Sequence, residues 1–317
     1  MRTIHKLGFL FLLTLFLFLG CRNEKPEGDG PTYGTIRISV DESFKSVLQS
    51  QISTFEGLYS HAKINAVYSD EVQIMADLLL EKSRLVVISR NLTEEEKKVF
   101  EKKKKIPRTT QVAYDGVALI TNKVNQDTFI TYEDLMKVLK GEVKKWNQLN
   151  KRSKLSDIKM IFDSNNSGII RYLFEKAGIK SFVPGSSFAM KSNEEVIDYV
   201  KNNQNAIGFI SVAWVSDKDD TTQLSFLRNL NIMSVSVPDT SEYAGNYYQP
   251  YQAYIAQKLY PLWRSVYIIS GESRAGLGLG FASFVAAEKG QRIFLKSGLV
   301  PATMPVRLVE IYHQELN

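Results

Sequence analysis

The sequence is short of the side chains that build metal sites and disulfide frameworks. It has one cysteine, Cys21, and three histidines, His5, His61 and His313. A single cysteine excludes an intramolecular disulfide, and no histidine has Cys or His partners at the spacing of a zinc site. GxSxG, P-loop and dinucleotide-binding fingerprints are also missing from the sequence. We therefore expect no metal, no cofactor and no enzymatic activity.

Long apolar runs and a strong net charge are equally scarce. After residue 20, no segment is apolar over the length of about 20 residues that a membrane-spanning helix needs. The 317 residues include 40 Lys and Arg against 34 Asp and Glu, a formal net charge of +6. Loss of residues 1–20 would reduce this excess further, because it removes two basic residues and no acid. Such a weak excess does not indicate a nucleic-acid partner.

The first twenty-one residues have the order of an export signal. Arg2 and Lys6 precede the apolar run Leu7–Gly20, which ends at Cys21. This run is too short for a typical spanning helix and has the length of a signal-peptide core. The sequence before Cys21 resembles a lipoprotein cleavage site, although Phe18 stands where leucine is usual.

Residues 1–20 are therefore predicted to be a lipoprotein signal peptide, with Cys21 as the lipidated residue. Polar residues with Gly and Pro follow, and residues 21–34 are predicted to form a flexible tether. We expect an exported protein that the lipid holds on the cell envelope.

Short strand-like runs alternate with helical patterns along the rest of the chain. Apolar residues recur at helical spacing between these runs, which predicts an α/β fold with mostly parallel strands. The length favours two lobes. The predicted strands are Thr35–Val40, Lys63–Tyr68, Arg84–Ser89, Gly116–Thr121, Ile158–Phe162 and Ala206–Ile210.

Serine residues stand where three of these strands give way to helices. Ser43, Ser69 and Ser167 each lie at or near a predicted helix start, and Gly168 follows the last of them. Ordinary helix caps explain each one separately. Because open α/β sheets bind ligands at the carboxyl ends of their strands, the three helix starts together predict an anion site.

Several segments resemble the phosphate-binding components of bacterial ABC transporters, which are type II periplasmic solute-binding proteins. ITYEDLMKVLKGEVKKWNQL (130–149) is the most specific of them, with a Leu-rich helix, a glycine and then Trp-Asn. The other similar segments are SVDESF (39–44), YSDE (68–71), VISRNLT (87–93), DGVALITN (115–122), NSGII (166–170), AIGFI (206–210), YPLWRSVYI (260–268) and GQRIFLKSGLVPA (290–302).

The resemblance implies a monomer of two lobes that binds inorganic phosphate or a related oxyanion in the cleft between them. Lobe one would comprise residues 35–114 and 245–317, and lobe two residues 115–244. An ABC transporter permease would be the partner. The residues that match ligand-contacting positions of the family are Ser43, Phe44, Ser69, Ser167 and Gly168.

The sequence departs from the family pattern at three positions. Arg90, which follows Ser89, replaces an acidic residue, Asp163 replaces an arginine, and Ile169 replaces a threonine. One hypothesis is an exchanged charge pair, in which Asp163 accepts a proton of phosphate and Arg90 supplies charge-assisted hydrogen bonds. Arg171 is another candidate cation. An ion pair between Arg90 and Asp163 with no role in binding is the alternative.

Two other functions remain open at this point. A lipoprotein that senses or scavenges its ligand would share the fold and differ only in its partner. A hydrolase of phosphorylated compounds could use Glu42, Asp115 or Asp163 for acid–base chemistry, although no spacing singles these residues out. Trp146 and Trp214 have apolar neighbours and are predicted to pack in the core of lobe two.

Overall fold

The computed structural model describes residues 28–216 and 229–306. The predicted signal peptide and Cys21 lie outside the described residues. No helix in the described ranges has both the length and the apolar character that crossing a membrane requires.

The elements alternate as the sequence predicts. The strands are β1 (Gly34–Asp41), β2 (Ala62–Ser69), β3 (Leu85–Ile88), β4 (Arg108–Asn122), β5 (Phe129–Ile130), β6 (Lys159–Phe162), β7 (Ser187–Ala189), β8 (Ala206–Ser211), β9 (Leu230–Ile232), β10 (Ser234–Ser236), β11 (Tyr247–Tyr248), β12 (Trp263–Ser270) and β13 (Val300–Pro301). The helices are α1 (Lys45–Leu58), α2 (Glu71–Leu79), α3 (Glu94–Lys102), α4 (Tyr132–Lys140), α5 (Trp146–Leu149), α6 (Gly168–Ala177), α7 (Asn193–Asn202), α8 (Gln252–Ala256), α9 (Leu277–Ala286) and α10 (Glu288–Lys296).

Local sequence explains where the best-defined helix begins and ends. The Thr131 hydroxyl accepts a hydrogen bond from the Asp134 amide and caps the start of α4. Gly141 ends the helix with a left-handed backbone conformation, at φ 74°. Glycine is favoured there because it has no Cβ atom to clash with the backbone. The predicted order of a Leu-rich helix followed by glycine is confirmed.

A single long sheet runs through the molecule in the strand order β2-β1-β3-β12-β4-β8-β6-β7. β1 pairs in parallel with β2 and β3, and β6 pairs in parallel with β7 and β8. β12 and β4 are antiparallel to their neighbours. The prediction of an α/β fold is confirmed. Parallel pairing is confined to the two outer groups of strands, and the centre of the sheet around β12 and β4 is antiparallel.

β4 joins the two parallel groups. Its first part pairs with β12, as far as Gly116, and its second part pairs with β8, from Val117 onwards. β8 runs opposite to β4. β3 runs in the same direction as β4, because both β3 and β4 are antiparallel to β12. The carboxyl ends of the two parallel groups therefore meet near the middle of β4.

Both predicted core tryptophans are buried. Trp146 is fully enclosed and donates its indole N–H to the Asn205 carbonyl at 3.0 Å. Trp214 is also buried, but its indole N–H donates to the Ser43 carbonyl at 3.0 Å. Trp214 therefore connects the turn after β8 to the turn after β1, in addition to packing in the core.

The packed structure begins earlier than residue 35. Asp29 forms ion pairs with Arg84 and Arg274, and its carboxylate accepts a hydrogen bond from the Leu277 amide at the start of α9. Residues 28–34, the last part of the predicted tether, thus include a fixed attachment point on the sheet and on α9.

Candidate functional site

Predicted site residues gather where the strand ends meet beside the middle of β4. Ser43 and Phe44 follow β1, and Ser89 follows β3, while Asp163 follows β6. All four are at least nine-tenths buried. Ser167 then caps α6, where its hydroxyl accepts a hydrogen bond from the Ile169 amide at 3.1 Å. The predicted cap at Ser167 is confirmed, and it directs the start of α6 toward this cluster.

A buried arginine that the sequence reasoning did not single out lies in the middle of the cluster. Arg264 of β12 is in register with Asp115 of β4 and donates to its carboxylate at 2.8 Å. A second guanidinium nitrogen donates to the Ser89 hydroxyl at 3.2 Å, and the guanidinium carbon lies 5.2 Å from the centroid of the Phe44 ring. Both members of this ion pair are about 1% exposed or less in their side chains. Such a pair is stable only because each charge is held by the other and by hydrogen bonds.

The first residue of α6 is surrounded by polar side chains. A Cβ atom built on Gly168 would come within 2.7 Å of Asp41 Oδ2, and within 2.9 Å of both Glu71 Oε2 and Ser89 Oγ. Asp41 ends β1 and Glu71 begins α2, so three elements converge on one backbone position. Only glycine leaves room for this close approach.

Six buried side-chain atoms around this point have no hydrogen-bond partner among the residues that the structure describes. They are Asp41 Oδ2, Ser43 Oγ, Glu71 Oε2, Asp163 Oδ1, Asn193 Oδ1 and Arg264 Nη2. A buried polar atom without a partner costs about 1–3 kcal/mol, so native structures rarely leave several together. This concentration of free donors and acceptors is typical of a site that binds a small polar ligand.

The two carboxyl groups that end β1 and β6 are perturbed by their surroundings. Burial raises the pKa of Asp41 to about 7, while Arg264 lowers it and the neighbouring Asp163 and Glu71 raise it. Burial also raises the pKa of Asp163, against the opposing effects of the Ser167 hydroxyl and Arg264. Both groups therefore hold a proton more readily than an exposed aspartate does.

Arg90 and Asp163 do not pair with each other. Arg90 donates to Glu71 and to Glu96, in each case at 2.7 Å. The cation whose charge lowers the pKa of Asp163 is Arg264. The acids of α2 and α3 therefore engage the Arg90 guanidinium, and the ligand contacts of the exchanged-pair hypothesis stay a prediction.

Arg171 reaches from α6 to the other group of strands. Its Nε donates to the same Glu71 oxygen that Arg90 contacts, at 2.8 Å, and its Nη2 donates to the Ser89 hydroxyl at 3.2 Å. The Ser89 oxygen thus accepts from two arginines, which leaves its own proton free to be donated. The Glu71 carboxylate of α2 thus contacts both Arg171 of α6 and Arg90, which follows β3, and so connects these three elements.

Ser69, another predicted site residue, lies on the strand beside the one that ends in Asp41. It ends β2 in register with Asp41 and is half-buried. Its hydroxyl makes no hydrogen bond to Arg264, Asp163 or Ser89. The helix cap at this position is Asp70, whose carboxylate accepts from the Gln73 amide.

An apolar cavity of about 690 Å³ lies elsewhere, between α1 and α9. Phe55, Leu58, Leu279 and Phe284 are among the residues that line it. We assign the candidate site to the polar cluster instead, because free buried donors and acceptors indicate a ligand more directly than apolar space does. Among the residues that the structure describes, no group of three His, Cys, Asp or Glu side chains is arranged to hold a metal ion.

Comparison with known proteins agrees with this architecture. The chain is 24% identical over 302 residues to the phosphate-binding protein PstS of Borreliella burgdorferi, covering 92% of this chain and 96% of that protein. It is 25% identical over 207 residues to PstS of Staphylococcus saprophyticus, covering 64% of this chain and 60% of that protein.

Two solved structures share the fold. One is a Clostridium perfringens protein, described as a candidate substrate-binding protein of a phosphate ABC transporter, which contains bound phosphate. It has a TM-score of 0.70 at 22% identity and covers 85% of this chain and 100% of its own. The other is an ABC-type phosphate transport receptor from Vibrio cholerae, with a TM-score of 0.62 at 20% identity and coverages of 85% and 100%. A model of the PBP superfamily domain matches residues 25–289. This chain therefore belongs to the PBP superfamily and has the type II periplasmic-binding-protein fold.

Proposed function

We propose that the protein is an exported, lipid-anchored binding protein that captures inorganic phosphate between two lobes for an ABC transporter. The observation that carries the proposal is the buried Arg264, which keeps one unpartnered guanidinium nitrogen among the free hydroxyl and carboxyl oxygens at the start of α6. The similar PstS proteins are named for phosphate binding. Their likeness to this chain supports phosphate as the ligand.

Donors on several sides of the cluster are suited to the oxygens of phosphate. Arg264 Nη2 supplies a charge-assisted hydrogen bond, and the unpartnered Ser43 hydroxyl supplies a neutral one. The Ser89 hydroxyl, whose oxygen accepts from Arg171 and Arg264, can donate its proton as well. The start of α6 at Gly168 adds backbone N–H groups and the positive end of a helix dipole. Arg264 thus takes the role that the sequence alone assigned to Arg90.

Acceptors in the same cluster would distinguish phosphate from sulfate. Phosphate still carries a proton at neutral pH, whereas sulfate carries none. The carboxyl group of Asp163, whose Oδ1 is unpartnered, can accept that proton in a hydrogen bond. Sulfate would place a bare oxygen against the same carboxylate and would be repelled.

The lobes of the proposed protein follow the two parallel groups of strands. Residues 35–114 with 245–317 would form lobe one, and residues 115–244 would form lobe two. The change of partner along β4, from β12 to β8 at Gly116 and Val117, supports a boundary close to residue 115. Closure of two such lobes around a ligand is a hinge motion.

Calorimetry on the processed protein, solubilised in mild detergent, tests the proposal. We expect one phosphate per chain and sulfate affinity at least about 100-fold weaker, since a misplaced charge in a buried site costs about 3 kcal/mol or more. Arg264→Lys keeps the charge next to Asp115 but loses the planar fork of donors. It should weaken phosphate binding about 10-fold to 100-fold, the value of one hydrogen bond to a charged group.

Arg292→Lys is the matched control, because Arg292 is an exposed residue that pairs with Glu288 on α10. This variant should bind phosphate like the wild type. If the wild type gives no binding signal with phosphate, or if Arg264→Lys binds as tightly as Arg292→Lys, the proposed function or its site is wrong.

A further inference from the structure

Acceptors outnumber donors among the unpartnered buried side-chain atoms of the candidate site. Of the six unpartnered buried atoms, three are carboxylate oxygens, of Asp41, Glu71 and Asp163, and one is the Asn193 amide oxygen. Arg264 Nη2 is a donor, and the Ser43 hydroxyl can donate or accept. A ligand without protons would leave most of these acceptors unsatisfied. The site therefore favours a ligand that brings several donors of its own.

The balance of charge in the site also favours a ligand that carries protons. Glu71 forms ion pairs with Arg90 and Arg171, whereas no cation of the described residues forms an ion pair with Asp41 or Asp163. The charged groups around these two aspartates are Arg264 of β12, Asp115 of β4, Glu71 of α2 with Arg90 and Arg171, and Glu42 of the turn after β1 with Lys45 and Glu194. Arg264 is already paired with Asp115. A dianion placed between two ionised aspartates would be strongly repelled in this buried setting.

We propose that the site takes phosphate as the dihydrogen monoanion, whose two hydroxyl groups donate to Asp41 and Asp163, so that binding above neutral pH is coupled to proton uptake. This inference rests on the proposed phosphate-binding function and specifies which form of the ligand is bound.

The proton count follows from solution chemistry. Above neutral pH most free phosphate is the hydrogen-phosphate dianion, which must gain one proton from water to become the dihydrogen monoanion. The proton leaves water or the acid form of the buffer, which becomes hydroxide or the buffer base, while the O–H bond on phosphate forms. No electrons are exchanged, so no oxidant or reductant is needed. Whether the proton resides on phosphate or on one of the two aspartates, the complex holds the same total. Proton uptake is therefore the quantity to measure.

The environment of Asp41 also supports binding of the dihydrogen monoanion. The carboxylate accepts the Ser43 amide through Oδ1 at 2.9 Å, so Oδ2 is the oxygen left for the ligand. Burial raises the pKa of Asp41 to about 7, which places a shared proton within reach of neutral solution. Asp163 is held in a similar way, with Asn193 donating to its Oδ2 at 3.5 Å and Oδ1 left free.

The experiment is calorimetric titration of the processed protein with sodium phosphate, in buffers of different ionisation enthalpy. At about pH 8 we expect uptake of about one proton per phosphate bound, and an affinity for total phosphate that falls about tenfold per pH unit above neutrality. An uptake near zero, together with constant affinity from about pH 7 to about pH 8.5, would overturn the proposal. Failure of the phosphate-binding function itself would look different, because no binding signal would appear at any pH.

Substitutions of Asp41 and Asp163 test whether these residues accept the proton that is taken up on binding. Asp41→Asn exchanges a carboxyl oxygen for an amide that can donate, so proton uptake should fall toward zero and sulfate binding should improve at least about tenfold. Asp163→Asn is the second variant if Asp41→Asn does not fold. Glu194→Gln is the control, since it removes a nearby carboxylate that pairs with Lys45 and should leave proton uptake unchanged. Wild-type uptake in both aspartate variants would show that these residues do not receive the proton.

Discussion

Replacement of Gly168 by alanine should weaken phosphate binding strongly and leave the fold intact. The added methyl carbon would lie 2.7–2.9 Å from Asp41 Oδ2, Glu71 Oε2 and Ser89 Oγ, whereas real Cβ contacts under 3.0 Å are essentially unknown. These oxygens belong to the ends of side chains, which can retreat without moving the backbone. The gain in helix propensity from glycine to alanine, up to about 1 kcal/mol, offsets part of the cost.

The same retreat displaces the groups that are proposed to hold the ligand. Loss of two hydrogen bonds that involve charge, at about 1.5–3 kcal/mol each, corresponds to a decrease in affinity of about 100-fold to 10,000-fold. The methyl group also fills the space where a ligand would contact the start of α6. Calorimetry with phosphate measures the affinity, and thermal unfolding without phosphate measures the stability.

Gly57→Ala supplies the comparison for this variant. Gly57 is exposed within α1, and a Cβ atom there would meet no atom within 4 Å. This variant should gain up to about 1 kcal/mol of stability with unchanged affinity for phosphate. If Gly168→Ala binds phosphate within a few-fold of wild type, the ligand does not lie at the start of α6.

Three further outcomes are expected. Trp214→Phe should lose about 1 kcal/mol of stability, because the hydrogen bond to the Ser43 carbonyl disappears while most of the buried ring remains; unchanged unfolding by denaturant would contradict this. Without phosphate, the wild type should lose stability relative to Asp41→Asn as pH rises from about 4 to about 7. The raised pKa of Asp41 means that the folded state holds this proton more tightly than the unfolded state does. Equal changes in melting temperature for the two proteins over that pH range would contradict this expectation. Cys21→Ala should move the protein from the membrane fraction to the soluble fraction or leave it unprocessed, and an unchanged distribution would show that another segment anchors the chain.

The parts of the fold that depend on local sequence were predictable. All six predicted strands occur, because each is a short apolar run bounded by turn residues, and Ser167 caps its helix as its position after a strand suggests. Gly116–Thr121 proved to be one part of the fifteen-residue β4. Its length could not be judged from the sequence, since its first half pairs with a strand about 150 residues away.

The central charge of the site could not be predicted in the same way. Arg264 and Asp115 interact only because β12 and β4 align in a particular register. The available signal was a charged residue within an otherwise apolar strand pattern in each case, which is typical of a buried pair. The contact of Arg90 with Glu96 was also hard to foresee, because Glu96 belongs to the capping box of α3 and is held there by the Thr93 amide.

For a lipid-anchored form of the protein, the attachment of Asp29 to α9 and beside the sheet would set how far the folded part can move from a membrane. If Cys21 carries the lipid, eight residues join the anchor to this fixed point, and a fully extended chain of that length spans about 28 Å. Such a short tether limits the distance between the folded part and the bilayer to roughly the diameter of the folded part. Encounters with a membrane-embedded partner would then occur at a high effective concentration, so that even weak docking of the loaded protein would be sufficient.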